Sequence, residues 1–422
     1  MKLSELLNQD FPCSCGRTHR CDIRSVEIGQ GVLEKISDVT DAKHILLLSD
    51  QNTYSLCGEH VCSLLGERVE SSLCYQSGND LLVPNEYAVD QAVAMLTPET
   101  DLVLGIGSGV INDICKYVSF KEGIPCGIIA TAPSMDGYAS SGAAMIFEGM
   151  KITYTTHVPD IILVDTDLLS TAPSYMIASG YADIIGKYSA LNDWKLSELV
   201  NGEYLCPFVY DLVMQKTRET QDLSEALCRK EPEALAILTE NLILIGVCLT
   251  FLSTTRPGSG SEHHLSHYFE ITGLIENRPY FLHGIDVGYS SLITAAMRER
   301  ICKQEVPVFH PVTKTTRLSA YQSIYKNVAK EVEKLQNEAG SYEKDMTMIY
   351  EEKWHEILRI LSECPTEKEI ATMLTSVGIK LAEFEKQYGK ECIHNGMFWG
   401  KDLKDRYSVL WLYFDLYGGL EA

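Results

Sequence analysis

The hydrophobic positions of this chain change their spacing near residue 170. Before it, short contiguous apolar runs rich in β-branched residues recur at 44–49 (HILLLS), 101–105 (DLVLG), 126–131 (CGIIAT) and 160–164 (DIILV), each closed by turn residues. A parallel strand covered by helices on both faces has no solvent side to keep polar, so it reads as an unbroken apolar run. Helical stretches lie between the runs, at 86–96 and 111–120. Strand and helix in alternation predict a Rossmann-like parallel sheet with helices on both faces. After Ser174 the runs give way to apolar residues at helical spacing, over 176–199, 232–252, 315–338, 343–364 and 367–388. The pattern predicts an α/β domain over 1–170 and an all-α domain over 171–422, joined by the polar link at 167–173.

Composition narrows the class. A chain of 422 residues that is 45% hydrophobic is long enough for a large core. With 36 Lys+Arg against 58 Asp+Glu, its net charge of −22 repels polyanions, so nucleic acid and anionic membrane surfaces are not expected partners. A phosphate-bearing ligand then needs local positive groups. The first twelve residues contain Glu5 and Asp10 and no apolar core flanked by basic residues, which predicts no secretory signal. The longest apolar run, 242–252, is about half of a membrane span, and a soluble, cytoplasmic protein is expected. Fourteen scattered cysteines fit reduced thiols rather than a disulfide framework. Cys13, Cys15, His19 and Cys21 stand close together. Their spacing matches no standard zinc module, so a second metal site and ordinary thiols are both open readings.

Candidate chemistry in the first half lies at strand ends. The segment 105–113 (GIGSGVIND) follows a strand and opens a helix, where free backbone N–H groups and the helix dipole favour phosphate. It lacks the G-x-G-x-x-G dinucleotide fingerprint, and a purely structural tight turn is the competing reading. Asp50, closing the strand HILLLSD, suits a ribose and would repel a 2′-phosphate, favouring NAD over NADP; a helix N-cap explains it equally well. A further turn, 131–137 (TAPSMDG), brings hydroxyls and Asp136 to the carboxyl edge of the sheet.

In the second half, Asp183 lies in 179–187 (SGYADIIGK), and 256–267 (RPGSGSEHHLSH) leads into a helix carrying three histidines. His263 and His267, four apart, share a face, whereas His264 points about 100° away. His283 follows before another apolar helix. Only eleven histidines occur in the chain and four fall within 263–283, so a shared role outweighs scattered core histidines. One carboxylate and imidazoles from separate helices suit a divalent metal with an open position.

The motifs GSGVIND (107–113), TAPSMDGYAS (131–140), VDTDLL (164–169), SGYADIIGKYSALNDW (179–194), RPGSGSEHHLSH (256–267) and FLHGIDVG (281–288) resemble, in order, those of the group that holds iron-containing alcohol dehydrogenases, glycerol dehydrogenase and dehydroquinate synthase. Within it they are most similar to the bacterial, metal-dependent sn-glycerol-1-phosphate dehydrogenases. The resemblance implies an NAD(P)H-linked oxidoreductase that reduces glycerone phosphate to sn-glycerol 1-phosphate for lipid synthesis. Its active site would lie in the cleft between the two domains, and a homodimer would be its assembly. It implies Asp183, His263 and His283 as ligands of one divalent metal, nickel or zinc, with Asp183 and His267 catalytic and Asp136, Asp183 and His267 on the substrate. The cofactor would rest on Gly109, Val110, Ile111, Asn112 and Asp113 and on Thr131, Ala132, Pro133 and Ser134, with Asp50 on the ribose and Ser140 near the nicotinamide. An offset of one would exchange His263 for His264; the i, i+4 pair and the preceding Glu262 favour His263. Arg256 and Lys187 offer themselves as phosphate anchors. A polyol dehydrogenase or a dehydroquinate synthase-like lyase of the same fold is the alternative.

Overall fold

The computed structural model describes residues 2–76, 78, 82–148 and 150–421. The chain forms two compact units that are not contiguous in sequence: Met1–Tyr181 with Asp222–Thr255, and Ala182–Gln221 with Arg256–Ala422.

The first unit is built on six strands, β1 (Ser25–Gly29), β2 (Ile45–Asp50), β3 (Val69–Tyr75), β4 (Leu102–Gly107), β5 (Cys126–Ala130) and β6 (Ile161–Asp165). They lie in the order β1-β6-β5-β4-β2-β3, all parallel. Every residue of β4, β5 and β6 is buried, which is why those runs show no polar alternation. The edge strands β1 (SVEIG) and β3 (VESSLCY) escape the apolar-run reading, since each carries polar residues on a partly exposed face. Two antiparallel hairpins escape it too: Phe11–Pro12 with Thr18–His19, and Gly142–Phe147 with Met150–Thr155. Leu33, Ile36, Ile45, Leu47, Val61, Leu104 and Ile129 form the core on one side of the sheet, each such side chain contributing about 1.5–3 kcal/mol by burial.

Helix α1 (Gly109–Glu122) follows β4, and α2 (Ser174–Ile185) follows the last strand. The periodicity placed 232–252 with the helical half, but α3 (Pro232–Leu252) packs in the first unit. By length and composition α3 alone among the described helices could cross a membrane, yet 72% of its most apolar window is buried, as in a core helix. Gly246 is what lets it approach: a Cβ there would stand 3.0 Å from both the Asp136 carbonyl oxygen and the Ser140 nitrogen.

The second unit is helical. The run 176–199 divides at Gly186, where a Cβ would meet Val287 Cγ1 at 2.5 Å. The run 315–338 breaks at Lys326, whose φ is +46°, and the run 367–388 breaks near Gly378, whose φ is +84°. Both take a positive φ that ends a helix without disturbing its apolar spacing. Helices α4 (Ser261–Glu276) and α5 (His283–Ile301) carry the histidines.

Candidate metal centre and nucleotide-binding turns

The N-cap position of helix α4 is Gly260, which has no side chain to cap it. A buried carboxylate does so instead: Asp193 Oδ2 accepts from the Ser261 N–H at 2.6 Å, while its Oδ1 takes Arg298 at 2.8 Å and the Val409 N–H at 2.9 Å. A Cβ at position 260 would stand 2.7 Å from Asp193 Oδ2, so glycine is needed for this contact. The cap fixes the first turn of α4, where His263 sits. His283 is the first residue of α5, and Asp183 comes from the last turn of α2.

Ligand atoms of Asp183, His263 and His283 all lie within 4.8 Å of one another. His263 Nε2 is 3.7 Å from Asp183 Oδ1, and the rings of His263 and His283 are 5.0 Å apart. Tetrahedral bonds of about 2.0–2.2 Å to nitrogen and oxygen place donors about 3.4 Å apart, so little closure is needed around a metal. The donor set itself, one carboxylate and two imidazoles, fits zinc, nickel or ferrous iron alike. His267 stands beside the three, its ring 6.3 Å from His263 and 5.8 Å from His283.

The surroundings orient these donors. His263 Nδ1 lies 2.7 Å from Glu262 Oε1, which also accepts the Gly260 N–H at 2.8 Å. With Nδ1 donating, Nε2 keeps its lone pair toward Asp183. Burial would push the Glu262 carboxyl up, but the His263 hydrogen bond and charge, the Gly260 N–H and Lys187 outweigh it and hold the carboxyl below its ordinary value. Lys187 Nζ donates to Asp183 Oδ1 at 2.7 Å and to the Gly258 carbonyl at 2.9 Å, a fully buried pair. Lys187 is therefore engaged by the aspartate. Arg256 is buried too, held by Glu203 at 2.9 Å and the Tyr407 carbonyl at 2.6 Å, so both side chains suggested as phosphate anchors already serve the fold.

His264 is fully buried on the other side of α4, and neither ring nitrogen has a hydrogen-bond partner among the described residues. Burial first, then Arg406, Lys404 and Arg256, drive its pKa well below the ordinary histidine value. It is a neutral core residue, and the donor cluster contains His263.

In the first unit the glycines after β4 divide by role. A Cβ on Gly105 would meet Cys115 Sγ at 2.7 Å, and one on Gly107 would meet Ile111 Cβ at 2.6 Å, so both let α1 pack on its strand. At Gly109 the nearest atom would be Met135 Cγ at an ordinary 3.5 Å. Gly109 is free of that packing duty, and it opens α1, whose N-cap Ser108 makes no side-chain cap. Val110 is half-buried and Ile111 buried. Asn112 Nδ2 donates to the Gly137 carbonyl at 3.2 Å, and buried Lys116 donates to the carbonyls of Gly137 and Gly142, clamping the second turn to α1. Asp113 accepts the Ala144 N–H at 3.2 Å and pairs with Lys116 at 3.3 Å. Thr131, Ala132, Ser134 and Ser140 are buried in that turn, with the Thr131 N–H on the Gly107 carbonyl and Ser140 Oγ on the Gly137 carbonyl. Asp136 is half-buried. Asp50 caps the next helix, its Oδ1 accepting from the Asn52 and Thr53 N–H groups at 2.8 and 2.9 Å.

Asp193, Arg298 and Lys116 went unread in the sequence. Asp183 and Lys187 stand at i, i+4, the one signal that could have exposed their pairing; Asp193 and Arg298 are 105 residues apart and leave none.

Residues 27–173 match the family model described as iron-containing alcohol dehydrogenase. The chain is 32% identical over 304 residues to a glycerol-1-phosphate dehydrogenase (NAD(P)+) of Halalkalibacterium halodurans, covering 70% of this chain and 76% of that one. It is 30% identical over 309 residues to the Bacillus subtilis protein of the same name, covering 72% and 78%. Among solved structures, an archaeal halo-thermophilic alcohol dehydrogenase from a Red Sea brine pool shares the fold, with a TM-score of 0.61 at 15% identity over 95% of this chain and 93% of that one.

Proposed function

The chain belongs to the glycerol-1-phosphate dehydrogenase family, within the iron-containing alcohol dehydrogenases, and on that footing we propose that it reduces glycerone phosphate to sn-glycerol 1-phosphate with NAD(P)H, reversibly. The observation that carries the reading is the convergence of Asp183, His263 and His283, with Glu262 and Lys187 orienting the donors.

A divalent metal held there, nickel or zinc, supplies Lewis-acid polarisation of the C2 carbonyl, and NAD(P)H supplies the hydride. The chain's own residues do the rest. Asp183 orients the carbonyl end of the substrate while its buried charge is balanced by Lys187. His267, beside the cluster, hydrogen-bonds the reacting oxygen and passes it a proton as its negative charge develops. Asp136 contacts the substrate. The free N–H groups of Gly109, Val110 and Ile111 at the start of α1 would hold the cofactor diphosphate, with Asn112 and Asp113 in the following turn, Thr131 to Ser134 along its other side and Ser140 toward the nicotinamide. Asp50 accepts from the ribose through the oxygen not used in capping, which favours NAD. We place the enzyme in the cytoplasm as a homodimer, in phospholipid synthesis.

NADH oxidation by the purified protein, chelated and then reloaded with single metals, tests this. Turnover is expected with glycerone phosphate, with sn-glycerol 1-phosphate as the product enantiomer, and is expected to vanish in His283→Ala while the fold remains. Equal turnover of unphosphorylated glycerone, or full activity of the chelated protein, would overturn it.

A further inference from the structure

We propose that Cys13, Cys15 and His19 bind a second metal ion, of the thiolate-seeking class with zinc foremost, as a structural staple of the first unit. This centre has no part in the reaction described above.

The three residues belong to one small hairpin. Phe11–Pro12 pairs antiparallel with Thr18–His19, placing Phe11 opposite His19. Its turn closes through the Cys13 N–H on the Arg17 carbonyl at 2.9 Å and the Gly16 N–H on the Cys13 carbonyl at 3.0 Å. Gly16 takes φ +85°, a left-handed conformation that reverses the chain just after Cys15. The two sulfurs and a ring nitrogen of His19 thereby lie within 4.8 Å of one another.

One pair has the spacing of metal ligands. Cys15 Sγ is 3.4 Å from His19 Nε2. Zinc bonds of about 2.3 Å to sulfur and about 2.0–2.1 Å to nitrogen, at a tetrahedral angle, set those atoms about 3.6 Å apart.

His19 is also held in the form that binds metal. Its Nδ1 lies 3.1 Å from the Phe251 carbonyl oxygen and donates to it, so Nε2 carries the lone pair and faces the sulfur. The ring, 1% exposed, stacks on Phe251 at 5.3 Å and 9°, and Phe11 stacks on Phe251 at 6.0 Å. A histidine that merely filled this space would need only the carbonyl and the stacking; the Cys15 sulfur at the other nitrogen, with the Cys13 sulfur in the same cluster, is what a metal adds.

Cys21 lies outside the group. It is fully buried, and its sulfur is not among the clustered ligand atoms. The ligand set is thus two cysteines and one histidine of the hairpin, with the fourth position completed by another thiol or by water. A hairpin with two residues in each strand has too few ladder bonds to hold itself, so a cross-link at its turn supplies the missing constraint.

Cobalt substitution of the intact protein tests this, because the centre formed by Asp183, His263 and His283 contains no sulfur. Intense thiolate-to-cobalt absorption in the near ultraviolet is expected in the wild-type protein and in His283→Ala, and is expected to vanish in Cys13→Ser/Cys15→Ser. Should that double variant not fold, the wild-type spectrum alone decides, together with alkylation mapping: Cys13 and Cys15 are expected to resist iodoacetamide until a chelator is added, and any other cysteine protected with them is the fourth ligand. Absence of the thiolate band from the wild-type cobalt protein, or a Cys13–Cys15 disulfide found by mass spectrometry in freshly reduced and metal-loaded protein, would overturn the proposal. Because the band does not depend on turnover, its failure is distinguishable from failure of the dehydrogenase reading.

Discussion

Nδ1 of His263 lies 2.7 Å from Oε1 of Glu262, its immediate neighbour in the chain. Adjacent helical residues point about 100° apart, so this contact forms only because Glu262 folds back over the α4 N-terminus to take the Gly260 N–H as well. The carboxylate fixes the imidazole's tautomer and raises its basicity toward a metal.

Glu262→Gln keeps both acceptor contacts but removes the charge. Metal affinity should fall about 10–100-fold, as is usual when the carboxylate behind a ligating histidine is lost. Competition with a chromogenic chelator measures it, and an unchanged affinity would show that Glu262 is only a cap.

His264 and His263 should behave as opposites. His264→Leu removes two buried ring nitrogens that have no hydrogen-bond partner among the described residues, so stability should hold or rise while metal content and NADH oxidation persist. His263→Leu should lose the metal. Metal loss from the His264 variant would reverse the assignment.

The glycines after β4 separate packing from ligand approach. In Gly107→Ala the new methyl meets Ile111 Cβ at 2.6 Å, and destabilisation of about 1–3 kcal/mol is expected in urea melts. In Gly109→Ala it meets only Met135 at 3.5 Å. Stability should hold while KM for NADH rises about tenfold or more, through lost approach to the diphosphate. A Gly109 variant with wild-type KM removes that residue from the cofactor site.

Asp415 gives the protein a pH-dependent weakness. Burial pushes its carboxyl up from 3.8 to about 6, against the pull of the Tyr350 hydroxyl at 3.1 Å and of Lys401. The folded form therefore keeps a proton that the unfolded chain releases, and stability falls as pH rises from 3.8 to about 6. Two units correspond to about 3 kcal/mol at most, lost in full above that window. Asp415→Asn should raise the melting temperature at about pH 8, with about half that gain at about pH 5. Calorimetry at both values checks this; equal gains would remove the carboxyl as the cause.

Much of this architecture is legible in one dimension because burial on both faces removes polar alternation. The four central strands stand out for that reason, and the edge strands β1 and β3 do not, since half of each must tolerate water. Helical spacing likewise announced the second half, but positive-φ residues at Lys326 and Gly378 divide two of its runs without leaving a mark on the apolar pattern.

The candidate site divides the same way. Residue types and local spacing determined what the chain offers: histidines 263 and 267 on one face, glycines at a strand end, two cysteines and a histidine at an N-terminal turn. Tertiary structure alone decided which of these meet. Asp183 reaches His263 from 80 residues away, Asp193 caps α4 from 68 away, and Lys187 and Arg256, offered by charge as phosphate anchors, are instead engaged by Asp183 and Glu203. Spacing encodes direction within an element, whereas the pairing of a buried charge depends on which element folds against it, and no local pattern carries that.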